Sequence, residues 1–402
     1  MVIKKVVLSG MLLTLALGLI GMALADGSIE SSQDFTPEVS PEDSLEQPFD
    51  RPPVNSASST ETQPPTIRDP LLSSVILPLP PLLLPDLLLP PYDFPTFNSQ
   101  RLDQELQLYS RYLSIYGAPD VLIVGSSRSL QGVDPSALRE ALAANGYGDL
   151  KVYNFGINGA TAQVIEVLLT EILIEEQMPR LIVWADGTRA FNDGREDVTH
   201  SGIIASEGYS RVQRGSYPIP SRVYYQDANA RETATHKSRP DSASSQQPIA
   251  PDLDMFGFQS VTAQFDPTAY YRQYPRVPGN YDLDYVPFGL GGMQTEATIA
   301  IAEFAQTQNI LLTIVNLPLT DDYLDAIRLD YERQFRRHML QLAQQQTFIY
   351  VDLLQNPELR QDHHFADPSH INHNGARAVA IALAADSTIP WNELRSVDLN
   401  AP

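Results

Sequence analysis

From Gln100 onward, short aliphatic runs alternate with longer amphipathic stretches, and this alternation predicts an α/β domain built on a parallel sheet. Five runs read as strands hidden on both faces: Val121 to Val124, Val152 to Phe155, Leu181 to Trp184, Ile310 to Val315 and Phe348 to Val351. Between them, apolar residues recur at helical spacing over Ser136 to Asn145, Thr161 to Glu176, Thr295 to Gln308 and Tyr323 to Gln346. A last, alanine-rich helix is expected over Gly375 to Ala385, and Asn145-Gly146 closes the first as a C-cap. With right-handed crossovers, this repetition gives a three-layer sandwich around a five-stranded parallel sheet.

The alternation fails between Asp193 and about Met293, so residues 194–293 are expected to be a large insertion after the third strand. Its first half contains "TATHKSRPDSASSQQPIAP", whose composition packs poorly; its second, "DPTAYYRQYPRVPGNYDLDYVPFGLGG", is rich in tyrosine and reads as ordered. An insertion here emerges at the carboxyl edge of the sheet, where ligands bind, and suits a lid or a substrate platform. No internal repeat of fixed period is evident, which argues against a solenoid or propeller.

The N-terminus changes the compartment. Lys4 and Lys5 precede an apolar run and a small-residue Ala-Leu-Ala ending at Ala25, so residues 1–25 read as a secretory signal, with a retained membrane anchor as the alternative. Residues 26–98 are rich in Ser, Pro, Glu and Gln and include "LLSSVILPLPPLLLPDLLLPP", whose prolines rule out an ordinary membrane helix. This stretch reads as a linker or stalk whose leucines dock on the domain or on a partner, and the folded domain is expected over 99–402. The protein is therefore expected outside the cytoplasm, periplasmic or extracellular, with a membrane tether and an envelope protein partner left open.

A formal charge of -22, from 49 acidic against 27 basic residues, disfavours any function that neutralises nucleic-acid phosphates. The absence of cysteine excludes disulfides, thiol catalysis and thiolate metal sites.

Against this background the segment "VLIVGSSRS" stands out, because a buried strand ends abruptly in small polar residues. A plain turn needs no more than that. A phosphate loop needs a Gly-x-x-x-x-Gly-Lys or Gly-x-Gly-x-x-Gly pattern, which is missing. A serine nucleophile needs an adjacent base. Such a base is available in "DPSHINHNGARAVA", where Asp367 and His370 stand three apart before the final helix, so one loop presents both an imidazole and the carboxylate that orients it.

These blocks resemble those of the SGNH (GDSL-like) hydrolase superfamily over about residues 119–386, insertion excluded. The resemblance implies a flavodoxin-like SGNH hydrolase fold and carries the nucleophile to Ser127, with Ser126 standing where the family has aspartate. "NFGINGAT" resembles the second block and carries an oxyanion glycine to Gly159, beside Asn158. Asp367 and His370 match the last block as acid and base. In the third block, "IVWADGTRAFND", direct placement puts Thr188 or Arg189 at the polar position, with Asn192 and Asp193 a few residues late. The implied oxyanion hole is therefore the Ser127 and Gly159 amides with Asn192 as third donor.

Together with "VNLPLTDDYL", these departures look closer to the envelope-polysaccharide O-acyltransferase and esterase branch than to lipases. That resemblance implies action on acyl or acetyl esters of an exported polysaccharide or a small acyl-ester substrate, without cofactor or metal, with Arg128, Asn158, Asn316 and Tyr323 as substrate contacts. Two rivals accompany it. His363, His364, His370 and His373 beside Asp362 and Asp367 offer a metal set, although no His-Glu-x-x-His helix is present. In the other, an inactive carbohydrate-binding or assembly protein uses Tyr270, Tyr271, Tyr274, Tyr281 and Tyr285 as stacking surfaces.

Overall fold

A computed structural model describes residues 93–221, 250 and 252–395. The expected signal or anchor, nearly all of the 26–98 linker with its Leu-Pro run, and the low-complexity part of the insertion lie outside the described residues.

Five strands form one sheet: β1 (Val121–Gly125), β2 (Val152–Gly156), β3 (Leu181–Asp186), β4 (Leu311–Asn316) and β5 (Ile349–Asp352). All pairings are parallel and the spatial order is 2-1-3-4-5, the doubly wound arrangement whose order reverses between β1 and β3. The uniformly apolar runs are explained by burial on both faces. Along β1, Leu122 and Val124 enter one core while Val121 and Ile123 enter the other; along β3, Ile182 and Trp184 oppose Leu181, Val183 and Ala185 in the same way.

Ten helices flank the sheet among the described residues: α1 (Gln100–Tyr116), α2 (Ser127–Gly132), α3 (Pro135–Ala144), α4 (Ala162–Val167), α5 (Val198–Ile204), α6 (Glu207–Gln213), α7 (Pro267–Gln273), α8 (Met293–Thr307), α9 (Ala326–Gln346) and α10 (His373–Ala385). Helices α1, α4, α8 and α9 build the first core through residues such as Leu106, Ile165, Ile301 and Phe335. Helices α3 and α10 build the second, where Leu138, Leu142, Val379 and Leu383 pack with Trp391.

Four features depart from the pattern-based reading. Helix α1 was not among the expected elements, yet Leu102, Leu106, Tyr109 and Leu113 give it a buried face. The helix expected over Thr161 to Glu176 stops early: Leu173 N–H donates to Leu168 O, a bond one residue wider than the α-helical one, and Ile172 and Leu173 are both buried. Helix α9 begins at Ala326 because the Asp325 carboxylate caps the amides of Ile327 and Arg328. Within the segment read as linker, Phe97 is fully buried and Phe94 packs against the same core.

The described parts of the insertion are stitched to the sheet at both ends. Asn192 donates to Asp284 O and Pro287 O and accepts from the amides of Gly194 and Gly289. Next to it, the Asp193 carboxylate accepts from the amides of Gly292 and Gln294.

Candidate active site

The site lies at the carboxyl edge of the sheet, at the reversal between β1 and β3. Ser127 is the first residue of α2, directly beyond β1 and the Ser126 cap, whose hydroxyl accepts from Arg128 N–H. Asn154 on β2 anchors that short helix by donating to Ser129 O and Val133 O. As a first-turn residue, Ser127 keeps a backbone N–H that no preceding turn can use.

The partner loop arrives from beyond β5. Phe365 bridges Ile371 antiparallel, and Ala366 N–H donates to His370 O, closing the turn. Asp367 serves twice within it: Oδ1 accepts the amides of Ser369 and His370, while Oδ2 lies 2.7 Å from His370 Nδ1. Asn372 fastens the loop by donating to the carbonyls of Ala263, His363 and Phe365 while its side-chain oxygen caps α10. Thr320 holds the other side through Pro368 O.

This loop brings His370 Nε2 to 3.1 Å from Ser127 Oγ, although the two residues are 243 positions apart. With Nδ1–H donating to Asp367, Nε2 is left to accept the serine proton. Burial pushes the Asp367 carboxyl upward, but the His370 charge, its hydrogen bond and the two backbone amides pull it down to about 2. The orienting carboxylate is thus ionised at neutral pH.

A cavity of about 200 Å³ opens beside the pair, with Gly159, Ala160, Asp186 and Arg189 among its lining. Gly159 has φ +71, and a Cβ there would stand 2.6 Å from Thr199 Oγ1. Its N–H, like that of Ser127, has no acceptor among the described residues. Both residues line the cavity, from the ends of β1 and β2.

The remaining candidates divide. Asn192 is displaced from the oxyanion position: all its side-chain bonds go to the insertion stitches, and it is absent from the cavity lining. Within the third block, the polar residue beyond β3 that lines the cavity is Arg189, one of the two residues that direct placement favoured. Asn316 is also removed from substrate contact, since it is buried and donates to Asp352 Oδ1 and Glu332 Oε2. Arg128 borders the cavity, but its guanidinium is buried and donates to Leu317 O and Pro318 O, which fits a positioning role. Asn158 is exposed and outside the lining. Tyr323 donates to Asp282 and Tyr285 to Glu332, so both hydroxyls serve the packing of the insertion.

Among the described residues, no group of three or more histidine, aspartate or glutamate side chains converges as a metal site. His373 Nδ1 pairs with Val261 O and His370 faces the serine. Of the tyrosines proposed for stacking, Tyr270 and Tyr271 form an edge-on cluster with Phe265, while Tyr281 is 70% exposed.

Three charged lining residues escaped the pattern-based reading: Asp186, Arg195 and Asp284. Asp186 closes a strand in sequence and reads as an ordinary strand terminus. Arg195 and Asp284 belong to stretches whose path over the sheet no local periodicity encodes.

No protein-family model matches the chain, and no curated protein matches it either. Its fold is similar to those of several solved structures. One is an acetyl xylan esterase, 14% identical, covering 65% of this chain and 97% of that one at a TM-score of 0.33. A second is a mutant of an acetyl-xylooligosaccharide esterase from Geobacillus, 12% identical, covering 68% and 97% at 0.38. A third is a psychrotrophic esterase from Pseudoalteromonas, 12% identical, covering 68% and 98% at 0.32.

Proposed function

We propose that this chain is an exported serine-dependent esterase or acyltransferase that removes a short acyl group, such as acetyl, from a carbohydrate. The observation that carries this is the relay Ser127 Oγ to His370 Nε2 to Asp367, at 3.1 and 2.7 Å, opening on a cavity that also receives the Gly159 backbone.

The chemistry follows from the relay. His370 Nε2 takes the Ser127 hydroxyl proton as Oγ bonds to the ester carbonyl carbon, and Asp367 stabilises the imidazolium that forms. The carbonyl oxygen becomes an oxyanion, which in this proposal the Ser127 and Gly159 backbone amides stabilise as hydrogen-bond donors. Collapse breaks the bond to the sugar oxygen, which leaves with the proton from His370. Water, or a second sugar hydroxyl, gives its proton to His370 as its oxygen bonds to the acyl carbon; the acyl–Oγ bond then breaks and Ser127 Oγ takes the proton back from His370.

A short acyl group suits the lining, whose apolar members are only Ala160 and Ala190 besides Gly159. The remainder is polar or charged, which favours a hydrated sugar ester over a long aliphatic chain. The leader-like N-terminus supports a destination outside the cytoplasm, and a tether through it or an envelope partner belongs to the same proposal.

A fluorophosphonate probe tests the reading directly. The expected result is one adduct, on Ser127, lost in Ser127→Ala, with acetate released from an acetylated sugar by the native chain. If Ser127 stays unlabelled and no acyl ester is consumed, a carbohydrate-binding protein is left. Whether a sugar acceptor becomes acylated separates transfer from hydrolysis.

A further inference from the structure

Two arginines converge on the cavity from beyond β3. Arg189 and Arg195 both line it, together with Ser127 and His370. Asp284, carried in by the insertion, bridges them: its Oδ2 accepts from Arg189 Nη1 at 3.1 Å, and its Oδ1 lies 3.6 Å from Arg195 Nε. The arginine side chains are 13% and 19% exposed and the aspartate 41%, so the carboxylate stands on the solvent side of the pair.

Each guanidinium presents five N–H donors in a fork that matches a carboxylate. Among the described residues, the bond to Asp284 is the sole hydrogen bond either one makes, and none of their unpartnered nitrogens is sealed from solvent. Those open nitrogens leave donors on both guanidinium groups for a ligand in the cavity, while Arg189 also faces the Tyr323 ring. Arg128 adds a third positive charge to the lining, against Asp186 and Asp284, in a chain whose formal charge is -22. The cationic character is therefore local to the cavity.

We propose that Arg189 and Arg195 form a carboxylate subsite that engages an acidic sugar, a uronic acid bearing or adjoining the ester that Ser127 attacks. Asp284, itself a carboxylate, shows the group that the pair accepts. The subsite rests on the esterase reading for which end of the sugar faces Ser127, whereas its ability to bind an acidic sugar does not.

Calorimetry on the full chain carrying Ser127→Ala tests it, with tetragalacturonate and the neutral galactotetraose as probes. Tetragalacturonate is expected to bind at least about tenfold more tightly. Adding Arg195→Gln should erase that preference, and Asp284→Asn, which removes the competing carboxylate, should strengthen tetragalacturonate binding. An unchanged thermal midpoint in each variant shows that the fold persists. Equal binding of the two probes, binding of neither, or a preference that survives Arg195→Gln in a folded chain would overturn the subsite. Arg195-dependent binding by a chain whose Ser127 resists fluorophosphonate would sustain the subsite while the esterase reading fell.

Discussion

Ser126 and Asp186 are joined twice across the reversal of the sheet: the Ser126 amide donates to Oδ2 at 2.7 Å and its hydroxyl to Oδ1 at 3.0 Å. The approach depends on Gly125, where φ is +147 and a Cβ would stand 2.3 Å from Ala185 O. The carboxylate thereby fixes the residue that caps the helix opened by Ser127. Gly187 N–H also donates to Oδ1, so both oxygens act as acceptors.

Asp186→Asn should therefore destabilise the fold, since either amide orientation points an NH₂ at an existing donor. A buried hydrogen bond lost in this way costs about 1–3 kcal/mol. Denaturant unfolding reads the loss, and slower acylation of Ser127 by a fluorophosphonate reads the displaced helix start. Unchanged stability would show that Ser126 is held by other means.

Ser127→Ala should abolish ester turnover, by about a thousandfold or more, with stability within about 0.5 kcal/mol of the native chain. Initial rates on an acetylated sugar and a thermal melt check the two halves. Retained turnover would move the nucleophile elsewhere.

Asp367→Asn should lower kcat by about 10³–10⁴-fold, because an amide no longer holds His370 in the tautomer that leaves Nε2 free. A second signature is pH-dependent stability. The folded-state value lies near 2 against an ordinary 3.8, so the carboxylate contributes stability above about pH 4 that is lost as pH falls toward 2, about 2 kcal/mol in all. The stability difference between native and variant chains should shrink over that window. A constant difference would mean that Asp367 is not held as described.

Gly159→Ala should reduce turnover by about a hundredfold, the cost of misplacing one oxyanion donor. The added methyl meets Thr199 Oγ1 and forces a left-handed conformation on alanine. Pairing it with Thr199→Gly relieves the contact but not the backbone, so partial recovery of kcat is expected. Full activity in the single variant would remove Gly159 from the oxyanion hole.

Asn192→Ala separates stitching from catalysis. Its four bonds to the insertion predict a loss of about 1–3 kcal/mol, read by denaturant unfolding. Hydrolysis of a small activated ester should stay within a few-fold of native, whereas an oxyanion donor would cost far more. A hundredfold loss would return Asn192 to the reaction.

The five strands, their order of appearance and the insertion between the third and fourth are legible in the chain, because a strand covered on both faces must be apolar throughout. Ser127, Asp367 and His370 are legible as candidates, since each stands where a strand or short loop ends and carries a side chain suited to proton transfer, and the fold brings the three together. Local pattern reaches no further. Asn192 is polar and close in sequence to the end of β3, yet the fold spends it on the insertion and turns Arg189 toward the cavity instead. The widened turn at Leu168 to Leu173, which buries Ile172 and Leu173 together, likewise answers to the core and not to helical spacing.

Sequence by itself determined a doubly wound parallel sheet and the three side chains whose chemistry suits acyl transfer, because burial and bond-making capacity are properties of individual residues in short runs. Tertiary structure alone decided that Ser127 meets His370, that Asp186 braces Ser126, and that Asp284 bridges Arg189 and Arg195. Those contacts join segments far apart in the chain, and hydrogen bonds and ion pairs depend on ångström distances that only the packed path of the backbone sets.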